Sequence, residues 1–206
     1  MTNGDHYYSP SPRAKHDPGE VTLKVAGRVL TLRTDSGVFS KERVDRGTRL
    51  LVEAMERGSV PLPHRGALLD LGCGYGPLGL AMAVLRPEAD VFMVDVNKRA
   101  ADLARANAER HGLSRVHVVQ GEGLAPLRGM AFHAVVSNPP LRTGKKNVHA
   151  LLEEAFAALV PGGVLAVVIR TQQGARSLER FLQGLAGRVE EAEKGGGFRV
   201  YVAFRA

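Results

Sequence analysis

Apolar and polar positions change their period several times along the chain. Val21, Leu23 and Val25 alternate with Thr22 and Lys24, the spacing of a half-buried strand. A second short run at 29–32 follows Ala26-Gly27-Arg28, and a glycine break of that length predicts a hairpin. Residues 35–46 read as loop. Leu50, Leu51, Ala54 and Met55 recur at helical spacing over 48–57, with Gly58 as the stop. A proline-rich linker covers 61–66.

From residue 67 strands and helices alternate. Apolar runs at 67–71, 91–94, 116–119 and 133–137 predict strands; helical spacing covers 77–86, 97–110 and 145–160. Asn97 is a good N-cap and Gly112 a good terminator. Pro161-Gly162-Gly163 predicts a turn into a strand at 164–169, followed by a helix at 177–185. Strands near 189–192 and 198–204 flank Gly195-Gly196-Gly197, so that pair is antiparallel. The expectation is an α/β fold: a seven-stranded, mostly parallel sheet, its last strand antiparallel, with helices on both faces. Residues 1–66 form a short appendage of hairpin, loop and helix packed on a core at 67–206.

Composition narrows the class. With 206 residues, 44% apolar and 24% charged, the chain suits one well-buried α/β domain rather than two large ones. The net charge of +7 permits a polyanionic partner without proving one. No apolar run reaches the roughly 18 residues of a membrane span, and the polar start lacks a signal peptide's apolar stretch. One cysteine excludes an intrachain disulfide framework, and there is no CxxC pair for a zinc ribbon. The seven histidines show no HxxxH spacing, so no metal is expected. A cytoplasmic location, no membrane partner, and either a monomer or a dimer are the expectations.

Chemistry concentrates at the predicted strand ends. The run at 67–71 leads into Gly72-Cys73-Gly74-Tyr75-Gly76-Pro77-Leu78-Gly79. Glycines there leave room for a ligand lying across the turn and permit positive φ. Gly74 to Gly79 even fits GxGxxG, which admits an NAD-dependent dehydrogenase. Two details favour a cationic amino-acid ligand instead. Asp70 stands before the glycines, where a pyrophosphate is repelled but the ammonium and sulfonium of S-adenosylmethionine (SAM) are not. Pro77 removes an N–H that a pyrophosphate uses. Asp95 after the second core strand is spaced to accept from ribose hydroxyls, and Glu122 after the third to accept from an adenine amine. Cys73 has no evident His–acid partnership and reads as a small packed residue of the loop.

The fourth core strand ends in Ser137-Asn138-Pro139-Pro140-Leu141. Two prolines stiffen this backbone. The Asn138 side-chain carbonyl and the Pro139 carbonyl suit a planar amine with two hydrogens to donate. Held so, the amine turns its lone pair toward an electrophilic methyl, and alignment with water exclusion is the remaining task.

DLGCGYG, an acid after the next strand, GEG and then NPP resemble the class I SAM-dependent methyltransferases that modify exocyclic or amide nitrogens. HYYSPSP, LRTDSGVFSKERVDRGTRLLVE and SNPPLRTGK are similar, more narrowly, to the small-domain methyltransferase family with its ribosomal RNA guanine-N2 methyltransferases. The resemblance runs from about His6 to the end and implies a Rossmann-like core. It implies Asp70, Gly72, Gly74 and Gly76 around the methionine part of SAM. It puts Asp95 at the ribose, Val96 on the adenine, and Glu122 and Gly123 at the adenine edge. Asn138, Pro139 and Pro140 then receive the target amine, while Phe39, Ser40 and Thr48 match a stretch beside the methionine end. Two departures stand out. The residue after NPP is often a stacking aromatic in the family but is Leu141 here, so either Tyr7, Tyr8 or Phe39 stacks on the base or the base is held less tightly. The ribosomal members carry an extra degenerate N-terminal domain copy, for which this chain has about 66 residues.

Arg142, Lys145 and Lys146 follow the reacting loop, and Arg13, Lys15, Lys41, Arg43, Arg46 and Arg49 cluster in the appendage. Flanking one pocket mouth, they form a phosphate-contacting surface for ribosomal RNA or a ribosomal particle. An unpaired loop target avoids the cost of flipping a base out of a helix. The same motif serves protein glutamine-N5 and DNA adenine-N6 methylation, so those substrates stay open. A pure SAM- or RNA-binding module has no use for an intact NPP.

Overall fold

Two antiparallel strands, β1 (Gly19–Val25) and β2 (Arg28–Thr34), make the predicted hairpin, with Val21 opposite Leu32 and Leu23 opposite Leu30. Ala26 and Gly27 both turn at positive φ (47° and 77°), the twist that matches a two-residue hairpin. These and the other elements belong to a computed structural model that describes residues 10, 14–140 and 144–206. Tyr7, Tyr8, Arg13, Leu141 and Arg142 lie outside the described residues.

Helix α1 (Arg46–Arg57) starts two residues before its apolar spacing predicts, because Asp45 caps it. The Asp45 carboxylate accepts from the N–H groups of Gly47 and Thr48, and Gly58 closes the helix at φ 79°. The remaining elements are β3 (Ala67–Leu71), α2 (Pro77–Leu85), β4 (Asp90–Asp95), α3 (Lys98–Arg110), β5 (Val116–Gln120) and β6 (Phe132–Ser137). They continue with α4 (Lys145–Ala157), β7 (Leu159–Arg170), α5 (Ala175–Ala186), β8 (Arg188–Gly195) and β9 (Phe198–Phe204).

The seven core strands lie in the order β5-β4-β3-β6-β7-β9-β8. β3 to β7 are mutually parallel, and β9 runs antiparallel between β7 and β8. The strand order reverses between β3 and β6, where the crevice of such sheets opens. Strand alternation sorts the core into two layers. Leu68, Met93, Val136, Val168 and Val200 pack with α1, α2, α3 and the hairpin. Leu69, Val135, Val167 and Tyr201 pack with α4 and α5 on the other face. No helix among the described residues is long and apolar enough to cross a membrane.

One junction departs from the sequence pattern. Helix α4 stops at Ala157, and Pro161-Gly162-Gly163 is taken into β7 instead of forming a turn before it. Phe132 faces Leu159 and Ala134 faces Val164, so these residues bulge from the ladder. Arg205 ties the bulge down, accepting from Gly162 N–H and donating to the Gly163 carbonyl.

A Cβ at Gly163 would stand 2.9 Å from the Val160 carbonyl oxygen and 3.1 Å from that of His133. Gly163→Ala is therefore expected to cost about 1–3 kcal/mol by overpacking. Urea titration reads this as a lower midpoint with an unchanged slope.

Candidate active site

Hydrogen bonds at the carboxyl edge of the sheet join four neighbouring strand ends. Ser137 Oγ donates to the Leu71 carbonyl at 2.8 Å, linking β6 to β3. The Gly72 and Cys73 N–H groups donate to the Val94 carbonyl at 2.9 and 3.0 Å, folding the glycine turn over the end of β4. Gly121 N–H donates to the Asp95 carbonyl at 2.9 Å, bringing in the segment after β5. Above these ends opens a cavity of about 550 Å³, a size usual for a small-molecule site.

Its walls include Gly72, Cys73, Gly74, Asp95, Val96, Glu122, Gly123, Asn138, Pro139 and Pro140, with Phe39, Ser40 and Thr48 from the N-terminal segment. Gly72 and Gly74 have positive φ (76° and 58°), and nothing lies within 4 Å of where a Cβ would stand on either. The turn thus presents bare backbone to open space. Asp95 accepts from Gly74 N–H through one oxygen and from Asn97 N–H through the other, both at 2.8 Å. Burial raises its pKa against these two hydrogen bonds. Each carboxylate oxygen keeps a lone pair for a further donor such as a hydroxyl. Burial also pushes the Cys73 thiol well up, and Asp95 and Asp70 add to the shift, so it stays protonated. A nucleoside-bearing sulfonium donor fits this wall: open backbone for its bulk, and a carboxylate with acceptor capacity beside it.

Two residues expected at the methionine part stand apart from the cavity wall. Asp70 is fully buried, and its carboxylate accepts from Gly79 N–H at 2.8 Å. It supplies from the sheet the cap that Gly76, at the start of α2, has no side chain to provide. Gly76 packs inward, its missing Cβ facing Ala104, Leu80 and Met93. Lys145 lines a second cavity of about 280 Å³ with His149, Gly174 and Ser177, and Lys146 is exposed. Arg43, Arg46 and Arg49 are also exposed, while Lys41 pairs with Asp17.

Asn138 is held from a direction the sequence reading missed. Its side-chain NH₂ donates to Thr48 Oγ1 at 3.0 Å and to Asp45 Oδ2 at 3.2 Å. Asp45 is a carboxylate and only accepts, so the NH₂ half of the amide must face it. The carbonyl half is left for another donor. Asp45 was legible as an N-cap: an Asp closely preceding an apolar helical pattern. Two buried amides dock the N-terminal segment. Asn97 donates to the Gly37 carbonyl at 2.8 Å. Asn107 accepts from Arg33 N–H at 2.7 Å and donates to the Tyr75 carbonyl at 3.0 Å. Arg170, Gln173 and Phe198 complete the wall beside β7, and no spacing in the sequence marked them. Among the described residues no cluster of His, Cys, Asp and Glu could hold a metal ion.

Comparison with known proteins identifies the family. A family model described as methyltransferase small domain matches residues 29–202. The protein YbxB of Bacillus subtilis (strain 168) is 37% identical over 200 residues, covering 97% of this chain and 98% of its own length. Ribosomal RNA small subunit methyltransferase C of Pseudomonas syringae pv. syringae is 35% identical over 182 residues, covering 85% of this chain and 51% of that protein. The structure of the 16S rRNA N2 methyltransferase RsmC of T. thermophilus, in complex with AdoMet and guanosine, matches with a TM-score of 0.82 and 26% identity. That match covers 95% of this chain and 52% of the other. The chain spans about half the length of the ribosomal RNA methyltransferases it matches.

Burial pushes the Asp70 carboxyl up to about 7, with the Asp95 charge adding to the shift and the Gly79 hydrogen bond opposing it. The folded-state value lies above the free value of 3.8, so the associated stability is complete below pH 3.8 and lost as pH rises through 7. Asp70→Asn removes this dependence. Its melting temperature relative to the parent is expected to climb from pH 5 to pH 8, by the equivalent of roughly 2–3 kcal/mol. A flat difference over that range would show that Asp70 does not titrate there.

Proposed function

Because this chain belongs to the methyltransferase small domain family of class I SAM-dependent methyltransferases, we propose that it methylates the N2 amine of a guanine in ribosomal RNA, using SAM. The observation that carries the reading is the fixed amide of Asn138. With its NH₂ held by Asp45 and Thr48, its carbonyl and that of Pro139 accept the two hydrogens of the incoming amine. An amine bound through both hydrogens is oriented with its lone pair out of their plane. SAM supplies an activated methyl on a sulfonium, already a good leaving group. Asp95 accepts from the ribose of this donor, Val96 packs on its adenine, and Glu122 with Gly123 meets the adenine edge. Gly72 and Gly74 leave room for the remainder. Phe39, 38% exposed on the cavity wall, offers a face to the target base in the role of the family's aromatic after NPP.

The guanine assignment draws on the T. thermophilus relative, whose name gives an N2 methyltransferase of 16S rRNA in complex with guanosine. The exposed Lys146, Arg43, Arg46 and Arg49 suit contacts to an RNA backbone. Ribosomal RNA or a ribosomal particle is the partner proposed on these grounds.

Labelled SAM incubated with unmodified ribosomal RNA is expected to yield N2-methylguanosine on nucleoside analysis. Label in protein, or on adenine N6, would overturn the substrate assignment. Asn138→Ala should lower kcat/KM by ~100-fold or more while SAM binding persists. Thr48→Val, which leaves Asn138 present but less constrained, should lower kcat on the order of 10-fold.

A further inference from the structure

Arg170 stands at the end of β7, one strand away from the amine-accepting loop. β6 and β7 run parallel with Ser137 level with Val167, so the amine-accepting loop leaves β6 beside the last residues of β7. Asn138, Pro139, Pro140 and Arg170 all line the cavity. The Arg170 guanidinium lies over the Phe198 ring, 5.3 Å from its centroid. Phe198 is itself fixed: it pairs with Arg170 across the β7–β9 ladder and is buried against Gly47, where a Cβ would stand 2.7 Å from the ring. Among the described residues no carboxylate pairs with Arg170, whereas Arg57, Arg188 and Arg199 on nearby elements each meet a glutamate. A planar fork of donors is therefore held over an aromatic ring at the cavity wall, with no side-chain hydrogen bond or ion pair among the described residues.

We propose that Arg170 selects guanine, its paired N–H groups donating to O6 and N7 of the base whose N2 is held by Asn138 and Pro139. This rests on the guanine-N2 reading and adds to it the residue that recognises the base. The chemistry is complementary at each edge. Asn138 and Pro139 offer only acceptors, which suit an amine. Arg170 offers only donors, which suit the carbonyl and ring nitrogen further round the same purine. A base with an amine at the six position would bring donor against donor there. Arg170 is exposed like Lys146 and Arg176, but its guanidinium lies over a ring of the cavity wall, whereas those two line neither cavity.

The test uses ribosomal RNA transcribed with GTP, with 7-deaza-GTP or with 6-thio-GTP. The first analogue removes the N7 acceptor and the second weakens the acceptor at position six. Methyl incorporation at N2 is measured for the parent chain and for Arg170→Met, with SAM binding and melting temperature recorded for both. The parent should lose between about 5- and 150-fold in kcat/KM on the analogue transcripts. Arg170→Met should be slowed on the GTP transcript and lose its sensitivity to the analogues. Should Arg170→Met melt early, Arg170→Lys keeps the charge over Phe198 without the paired donors, and the same loss of discrimination is expected. Unchanged discrimination in the variants, or none in the parent, overturns the proposal. So does an equal loss on every transcript with a shallower salt dependence, which marks a phosphate contact. Methyl groups found on adenine or protein would instead overturn the guanine-N2 reading itself, so the two failures are distinguishable.

Discussion

The cavity depends on backbone N–H groups donating across strand ends. Gly72 and Cys73 share the Val94 carbonyl, and this bends the turn after β3 over the adjacent strand. That bend brings Gly74 N–H to the Asp95 carboxylate. On the other side, Ser137 Oγ grips the Leu71 carbonyl and fixes where β6 releases Asn138. Each bond satisfies a polar group buried at the sheet edge, where an unmade one costs about 1–3 kcal/mol. Positioning and stability thus come from the same contacts. A side chain at Gly72 or Gly74 would disturb both, because each turns through a φ that favours glycine.

The N-terminal segment is the second determinant. Asn97 reaches the Gly37 carbonyl, Asn107 clamps Arg33 and Tyr75, and the Tyr75 hydroxyl meets the Ser40 carbonyl. These bonds hold Val38, Phe39 and Ser40 against the cavity, shortly before α1 with its N-cap Asp45 and first-turn Thr48. Buried amides suit this task, since each both donates and accepts and so fixes an orientation as well as a distance. Residues that look peripheral in the sequence thereby decide which way Asn138 faces.

Much of the fold was legible because its cues are local. Alternation gave β1 and β2, helical spacing with caps gave α1 to α3, and the three glycines gave the β8–β9 hairpin. The bulge in β7 was not, because Pro161-Gly162-Gly163 has turn chemistry that pairing with β6 and Arg205 overrides. At the site, the glycine turn, Asp95 and the Asn138 loop were legible, since each ends a strand on one edge of a parallel sheet. Asp70 was expected beside a ligand, yet it faces the layer of α2. Sequence alternation shows that it shares a face with Leu68 but not which helix covers that face. Asp45, Arg170 and Phe198 gain their meaning only from contacts between segments far apart in the chain.

The placing of β9 between β7 and β8 carries a consequence for how the molecule is completed. β8 precedes β9 in the chain yet has no neighbour in the sheet until β9 slots in beside it. During synthesis, the first four strands of the core can assemble as they emerge, but one flank must wait for the segment that ends at Phe204. Phe198, on which both Gly47 and Arg170 lean, arrives with that same segment. A nascent chain therefore acquires its sheet early and its finished binding wall late.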